Sequence, residues 1–395
     1  EGLQLADWCK ALEPSVLREM IDVVSEEPGI INLATGLPEN DFFPVQEYKD
    51  GLAAALASDP LTLQYRPPFE PLKKHIVEIM EKRGVSCTPD QVFITTGAQQ
   101  GLNVLTRMLL NPGGNIILEE VIYAGLRQTI NPLQPKIHFV KTDLATGMNT
   151  DEVEALLEQG VRPPFFYICP NAQTPIGVSL SLEKRKKLLE IASKYRVPVI
   201  EDDTYGFLTY DGKQEHCLKS LNPDWVFYLG SFSKVIAPGL RLGWMIAPAS
   251  LIGTLTVLKE ATDLESSGMT QRAVSAYLDK GTFWDHVEVL RKEYQSRRDV
   301  MLECLAEFFP STATWSKPSG GMFIWVVFSD VMNTRDLLDY CIKNAKVAFI
   351  PGFAFALPGT DASNCLRLNF ASCKPDKIRK GIELLGKAVQ EYRKL

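Results

Sequence analysis

The chain is expected to be an α/β protein, with a large domain on a mostly parallel sheet flanked by helices and a smaller α+β domain after it. Through the first two-thirds, apolar runs of strand length alternate with stretches of helical periodicity, the signature of successive βαβ units. The runs are almost continuously hydrophobic, which suits strands buried on both faces. In the last third the pattern changes to a long amphipathic stretch, two strand-like runs and a closing amphipathic stretch.

In chain order, the strand candidates of the large domain are 92–95, 115–118, 165–169, 197–201, 226–229 and 242–247. Between them, 181–195 sets Leu188, Leu189, Ile191 and Ala192 against Lys184, Arg185, Lys186 and Lys187, so a surface helix is expected with its charges in solvent. Val287, Leu290, Tyr294, Met301, Leu305 and Phe308 mark a long amphipathic helix. Runs 320–328 and 365–370 read as strands, and Ile378, Ile382, Leu385 and Val389 line a last helix. The domain division that follows is an N-terminal segment (1–44) packing with the small domain, a large domain (45–280) and a small C-terminal domain (281–395).

Composition narrows the function. The 395 residues carry 42 Lys plus Arg against 48 Asp plus Glu, a net charge of −6, so electrostatics give no reason to expect nucleic acid or an anionic membrane as partner. No run of about 18 apolar residues is present, and Glu1-Gly2-Leu3-Gln4 lacks the basic and apolar regions of a signal peptide. The eight cysteines form no CxxC pair and the four histidines are scattered, so no zinc ribbon or disulfide scaffold is expected and a reducing, cytoplasmic setting is the default.

Four loops follow strand candidates and carry chemistry. Gly230-Ser231-Phe232-Ser233-Lys234, with Arg241 seven residues on, suits a covalently held phosphorylated aldehyde. The amine would form an imine, and two hydroxyls and a guanidinium would hold a phosphate dianion. Alone, the same run fits a surface loop with a lysine. Thr95-Thr96-Gly97-Ala98-Gln99-Gln100 opens a helix whose N-terminal amides can bind phosphate, though an ordinary strand-to-helix turn reads the same way. Glu201-Asp202-Asp203-Thr204-Tyr205 places three acids at a buried strand end, where carboxylates need a cation such as a protonated pyridine nitrogen or a magnesium ion. Asn171-Ala172-Gln173-Thr174-Pro175-Ile176-Gly177 is the fourth loop. Loops at the carboxyl ends of parallel strands form the ligand crevice of an open α/β sheet, so the conjunction is more specific than any one of them.

Together these residues resemble the class I/II aminotransferases, pyridoxal-phosphate enzymes of fold type I, and within them the 2-aminoadipate aminotransferase subgroup. The resemblance runs from Ile31-Asn32-Leu33-Ala34-Thr35-Gly36-Leu37-Pro38 to Leu366-Arg367-Leu368-Asn369-Phe370. It implies that Lys234 forms the internal aldimine and moves the proton at Cα. Asp202 would keep the ring nitrogen protonated, Tyr205 would bond the ring phenolate, and Tyr123 would stack on the ring. Gly97, Ala98, Gln99, Ser231, Ser233 and Arg241 would form the phosphate cradle. Tyr65 would reach the phosphate of a partner subunit, implying a homodimer with shared sites. Arg367 would clamp the substrate α-carboxylate with Gly36 beside it, and Arg18 aligns with an arginine that meets a distal carboxylate.

Three departures from the family pattern stand out. Thr174 occupies the place of an asparagine that bonds the ring phenolate, with Asn171 as a conceivable stand-in. The Gln64–Leu72 loop, which contains Phe69, is about two residues short and lacks the family's usual glycine. Val121-Ile122 replaces a Pro-Ser before the stacking tyrosine. An aminotransferase using an acidic or large amino acid and 2-oxoglutarate is the leading expectation. The departures at Thr174 and Phe69 motivate an alternative, a cyclase or eliminase acting on a hydroxylated, arginine-like amino acid as in capreomycidine and enduracididine formation. A non-catalytic, aminotransferase-like effector domain is the weakest reading, because the lysine, aspartate and arginine are all present.

Overall fold

The computed structural model describes residues 3–10, 12, 18–19, 21–23, 28–212 and 216–394. In chain order the strands are β1 (Ile31–Asn32), β2 (Val92–Thr95), β3 (Asn115–Glu119), β4 (Lys136–Val140), β5 (Thr142–Asp143), β6 (Gly147–Met148), β7 (Phe166–Ile168) and β8 (Val199–Asp202). They continue with β9 (Val226–Ser231), β10 (Gly243–Ile246), β11 (Ala313–Trp315), β12 (Phe323–Phe328), β13 (Val347–Ala348), β14 (Ile350–Pro351) and β15 (Cys365–Asn369).

The main sheet has the order β2-β10-β9-β8-β7, with β3 and β4 as a separate parallel pair. β7, β8 and β9 run parallel, whereas β10 is antiparallel to both of its neighbours. The sheet is thus mostly parallel, as expected, and mixed only through the one reversed strand β10. The reversal follows from the short connection out of β9. The turn through Lys234 to Leu242 returns the chain beside the strand it left, with no helix long enough for a parallel crossover.

Alternation along these strands divides the core into two faces. Phe93, Phe227, Leu229 and Met245 pack with Leu102 and Leu105 of the helix Ala98–Leu109 on one side. Ile94, Tyr228, Trp244 and Ile246 pack on the other with Leu72, Ile76 and Met80 of the helix Glu70–Lys82. The fully buried Trp244 lies opposite Gly230 in the antiparallel register, and a Cβ there would come 2.2 Å from the indole, so only glycine fits.

A second sheet, β11-β12-β15-β14, carries Arg367 on β15. It is backed by the helices Phe283–Phe308 and Pro375–Tyr392. The N-terminal residues lie along this part of the chain. β1 pairs in parallel with β13, and Leu33 bonds Ala348 O through its amide and Asn369 N through its carbonyl. The Asn369 amide side chain donates to Thr35 O and Leu37 O. These bonds hold Gly36 over the carboxyl edge of the main sheet. Among the described residues no helix is long and apolar enough to cross a membrane.

Candidate active site

The carboxyl ends of β7, β8 and β9 face one edge of the sheet. There, under the 35–37 segment, lies a cavity of about 320 Å³. Its lining includes Gly36, Ala98, Gln99, Tyr123, Thr174, Asp202, Tyr205, Ser231, Ser233, Lys234, Arg241 and Arg367. The structure therefore brings together residues from seven separate segments, spread over more than 330 positions of sequence.

Lys234 follows β9 directly, so the strand end fixes its backbone. Its Nζ donates to Gly36 O at 2.9 Å. Burial, then the Arg367 and Arg241 guanidiniums, push the amine down to about 8. At pH 7 roughly a tenth of the amine is then the neutral, nucleophilic form, far more than for an ordinary lysine.

The three acids at the end of β8 separate by strand alternation. Asp202 points into the cavity, where it accepts from Tyr167 Oη at 2.9 Å and Thr204 Oγ1 at 2.6 Å. Its pKa is raised, burial being the main cause, with those two hydrogen bonds opposing it. No lysine or arginine pairs with Asp202 among the described residues, so a cation placed against it would meet an uncompensated buried carboxyl. Glu201 and Asp203 point the other way. Glu201 accepts from Leu218 N and Lys219 N, and Asp203 is held by Arg83 Nη2 at 2.6 Å, Tyr228 Oη at 2.8 Å and Asn171 Nδ2 at 2.5 Å. Asn171 is thereby committed away from the cavity, its Oδ1 taken by Arg185 Nη2 at 2.8 Å, and does not stand in for the missing asparagine. Thr174 is buried and lines the cavity.

At the opposite end lies a cradle suited to an anion. Gly97 has φ +77° and caps the helix Ala98–Leu109, and a Cβ on it would come 2.5 Å from Arg241 Nη2. Arg241 Nη1 lies 3.5 Å from Ser233 Oγ, and Ser231 Oγ accepts from Ser233 N at 3.1 Å. Helix-terminal amides, two hydroxyls and a guanidinium thus converge, a donor set for a dianion. Tyr123 and Tyr205 line the same cavity as the lysine. Burial pushes the Tyr123 hydroxyl up to about 12 and raises that of Tyr205 further, so both stay protonated donors.

Arg367 is buried between two rings, 4.1 Å from the centroid of Phe323 and 4.8 Å from that of Phe355. Nη2 donates to Ala34 O at 3.0 Å, and Nε has no partner among the described residues. Burial pushes its pKa down to about 10. A buried guanidinium with an unused N–H and no carboxylate partner among the described residues is arranged to receive one from a ligand. A Cβ on Gly36 would lie 3.6 Å from Arg367 Nη2, so the glycine keeps that approach open.

Three expected site residues are not in the cavity lining: Gly97, which lies at its edge beside Ala98 and Arg241, Tyr65 and Arg18. Tyr65 is 81% exposed, because its loop turns outward to solvent from this chain's own cavity. Arg18 is exposed and ion-paired with Asp22 at 3.2 Å, while Ile21, three residues on, does line the cavity. Sequence reading missed Tyr167, Thr204, Phe323 and Phe355. Of these only Thr204 had a local signal, its spacing of two from an acid that its hydroxyl can bond.

The family described as aminotransferase class I and II matches residues 28–385. The chain is 33% identical to an aromatic-amino-acid aminotransferase of Thermococcus litoralis, over 97% of this chain and 93% of that protein. It is 31% identical to a 2-aminoadipate transaminase of Thermus thermophilus, over 96% and 94%. The crystal structure of a kynurenine aminotransferase from Pyrococcus horikoshii superposes with a TM-score of 0.92 at 36% identity, covering 98% of this chain and 97% of that one.

Proposed function

This chain belongs to the class I and II aminotransferases, with pyridoxal phosphate as its cofactor, and we propose on that footing that Lys234 holds the cofactor and moves the proton in amino-group transfer. The observation that carries the proposal is the buried Lys234 amine with its pKa lowered to about 8, set between an anion cradle and an unpaired buried guanidinium.

When bound, the cofactor supplies an aldehyde for the amino nitrogen and a cationic ring that spreads the charge left at Cα. The Asp202 carboxylate keeps the ring nitrogen protonated, and Tyr167 and Thr204 fix the carboxylate's orientation. Gly97, Ala98, Gln99, Ser231, Ser233 and Arg241 would hold the phosphate. Tyr123 would pack on the ring, and Tyr205, with Thr174 also in the lining, would donate to its phenolate oxygen. Arg367 binds the substrate α-carboxylate through the N–H groups left free by its bond to Ala34 O. Lys234 Nζ, as the neutral amine, would take the proton from Cα and deliver it to the cofactor carbon that had carried the aldehyde, so that the nitrogen stays with the cofactor and the oxo acid is released.

The side-chain end of the cavity supports a large apolar or aromatic donor, since Ile21, Leu37, Phe323 and Phe355 line it. We assign 2-oxoglutarate as acceptor; Arg18, which lies outside the cavity and pairs with Asp22, would have to leave that pair and turn inward to meet its distal carboxylate. The arginine-like substrate of a cyclase finds less support. Asp202 is the one carboxylate among the described lining residues, and the ring nitrogen claims it. The exposed Tyr65 is assigned to the phosphate of a partner copy in a homodimer.

Borohydride reduction of the holoenzyme followed by peptide mass spectrometry tests the assignment. The phosphopyridoxyl mass is expected on the peptide containing Lys234. Its appearance on any other lysine would overturn the site.

A further inference from the structure

We propose that Asp263, through Thr96, is a positioning residue for the cofactor-phosphate turn, and that Lys259 keeps its charge from opposing the phosphate. The inference rests on the reading that the phosphate sits at Gly97 and Ala98.

Thr96 is the residue before Gly97, so its placement sets the direction of the first helical amides. Three bonds fix it. Its amide donates to Gln100 Oε1 at 2.8 Å, which staples the turn to the next turn of the helix. Its hydroxyl donates to Asp263 Oδ2 at 2.5 Å and lies 2.8 Å from Ser266 Oγ. Gln100 Nε2 also reaches Thr262 Oγ1 at 3.1 Å. None of these residues lines the cavity, so they act on the ligand through the backbone alone.

The segment that supplies Asp263 is itself held in a costly form. Leu264 has φ +61° and ψ −60°, with Glu265 N donating to Asp263 O at 2.6 Å, a tight three-residue turn that a leucine rarely adopts. Such a conformation persists where its surroundings over-determine it. Here Thr96 and Lys259 grip Asp263 on one side, and Gln271 Nε2 holds Ser266 O at 2.8 Å on the other.

A carboxylate this close to an anion cradle would repel a phosphate dianion. Lys259 is buried, and its Nζ bonds Asp263 Oδ1 at 2.6 Å, so the pair presents geometry to Thr96 with little net charge. The two functions then separate by sign. Removing the Thr96 hydroxyl loosens the turn. Removing Lys259 alone leaves a bare negative charge beside the cradle, and removing both charges relieves it.

The test is titration of cofactor-free enzyme with pyridoxal phosphate, read by absorbance of the bound cofactor, with the melting temperature followed alongside. Thr96→Val is nearly isosteric and is expected to raise Kd about tenfold, the size of one lost hydrogen bond to a charged group. Lys259→Met is expected to raise Kd as well, and Lys259→Met/Asp263→Asn to bring it back to within about threefold of the unmodified enzyme. The proposal is overturned if Thr96→Val binds within about twofold of the unmodified enzyme. It is equally overturned if the double variant binds no better than Lys259→Met, or if the variants lower Tm without moving Kd. Should Lys259→Met not fold, Thr96→Val decides. Failure of the unmodified enzyme to take up the cofactor at Lys234 would instead sink the site reading itself.

Discussion

At the residue scale, burying the Lys234 amine beside two guanidiniums makes the lysine useful and also makes it destabilising. Its ordinary pKa of 10.5 falls to about 8 in the fold, a gap worth about 3 kcal/mol. Below pH 8 both folded and unfolded chains carry the proton, and the folded chain bears the full cost. Between pH 8 and 10.5 the unfolded chain keeps a proton that the folded one has released, so stability rises with pH. Cofactor-free Lys234→Met is therefore expected to resist urea better than the unmodified chain at pH 7, by up to about 3 kcal/mol, with the margin shrinking toward pH 10. A less stable variant at pH 7 would contradict this placement of the amine. Arg367 makes a different demand. A lysine in its place loses the planar fork and the stacking between Phe323 and Phe355. Arg367→Lys is expected to raise KM for amino donors by roughly 10- to 100-fold while moving kcat much less, as steady-state kinetics would show.

At the scale of elements, the cradle depends on one backbone conformation. Gly97 combines φ +77° with a close approach to Arg241, so Gly97→Ala is expected to weaken cofactor binding about tenfold or more, measured by equilibrium dialysis. Binding unchanged from the unmodified chain would remove the turn from the cradle. Elements also mark where the sequence was legible. The buried strands β2, β3, β7, β8, β9 and β10 fall within a few residues of their apolar runs, because a strand covered on both faces needs nearly continuous hydrophobicity. β4 escaped notice because Lys136 and His138 interrupt its run at a half-exposed edge. The reversed direction of β10 escaped too, since apolarity carries no sign of direction. In the site, Lys234, Asp202 and Arg241 were legible because their chemistry is written in consecutive residues. The partners of Asp202 and Arg367 were not. Tyr167 reaches Asp202 from a neighbouring strand, and Phe323 and Phe355 meet Arg367 across the second sheet, contacts that only the fold creates.

At the scale of the whole molecule, the cavity lies between the main sheet and the segment that the second sheet holds over it. Arg367 and Lys234 thus come from different sheets, and Gly36 bridges them. The assignment of Tyr65 to a partner copy extends this joint construction to two chains. In solution the particle is expected to have twice the 44.1 kDa chain mass. Mixing inactive Lys234→Ala with Tyr65→Ala chains is then expected to restore activity, since each hybrid contains one site with both residues intact. No recovery on mixing would assign Tyr65 to its own chain or to no site. The central claim is amino-group transfer at Lys234. It is tested most directly by mixing holoenzyme with a single aromatic amino acid, in the absence of any oxo acid, and following absorbance and mass over one turnover. The expected result is one equivalent of the matching oxo acid together with one of pyridoxamine phosphate. Recovery of unchanged pyridoxal phosphate, with the amino acid dehydrated or cyclised, would contradict it.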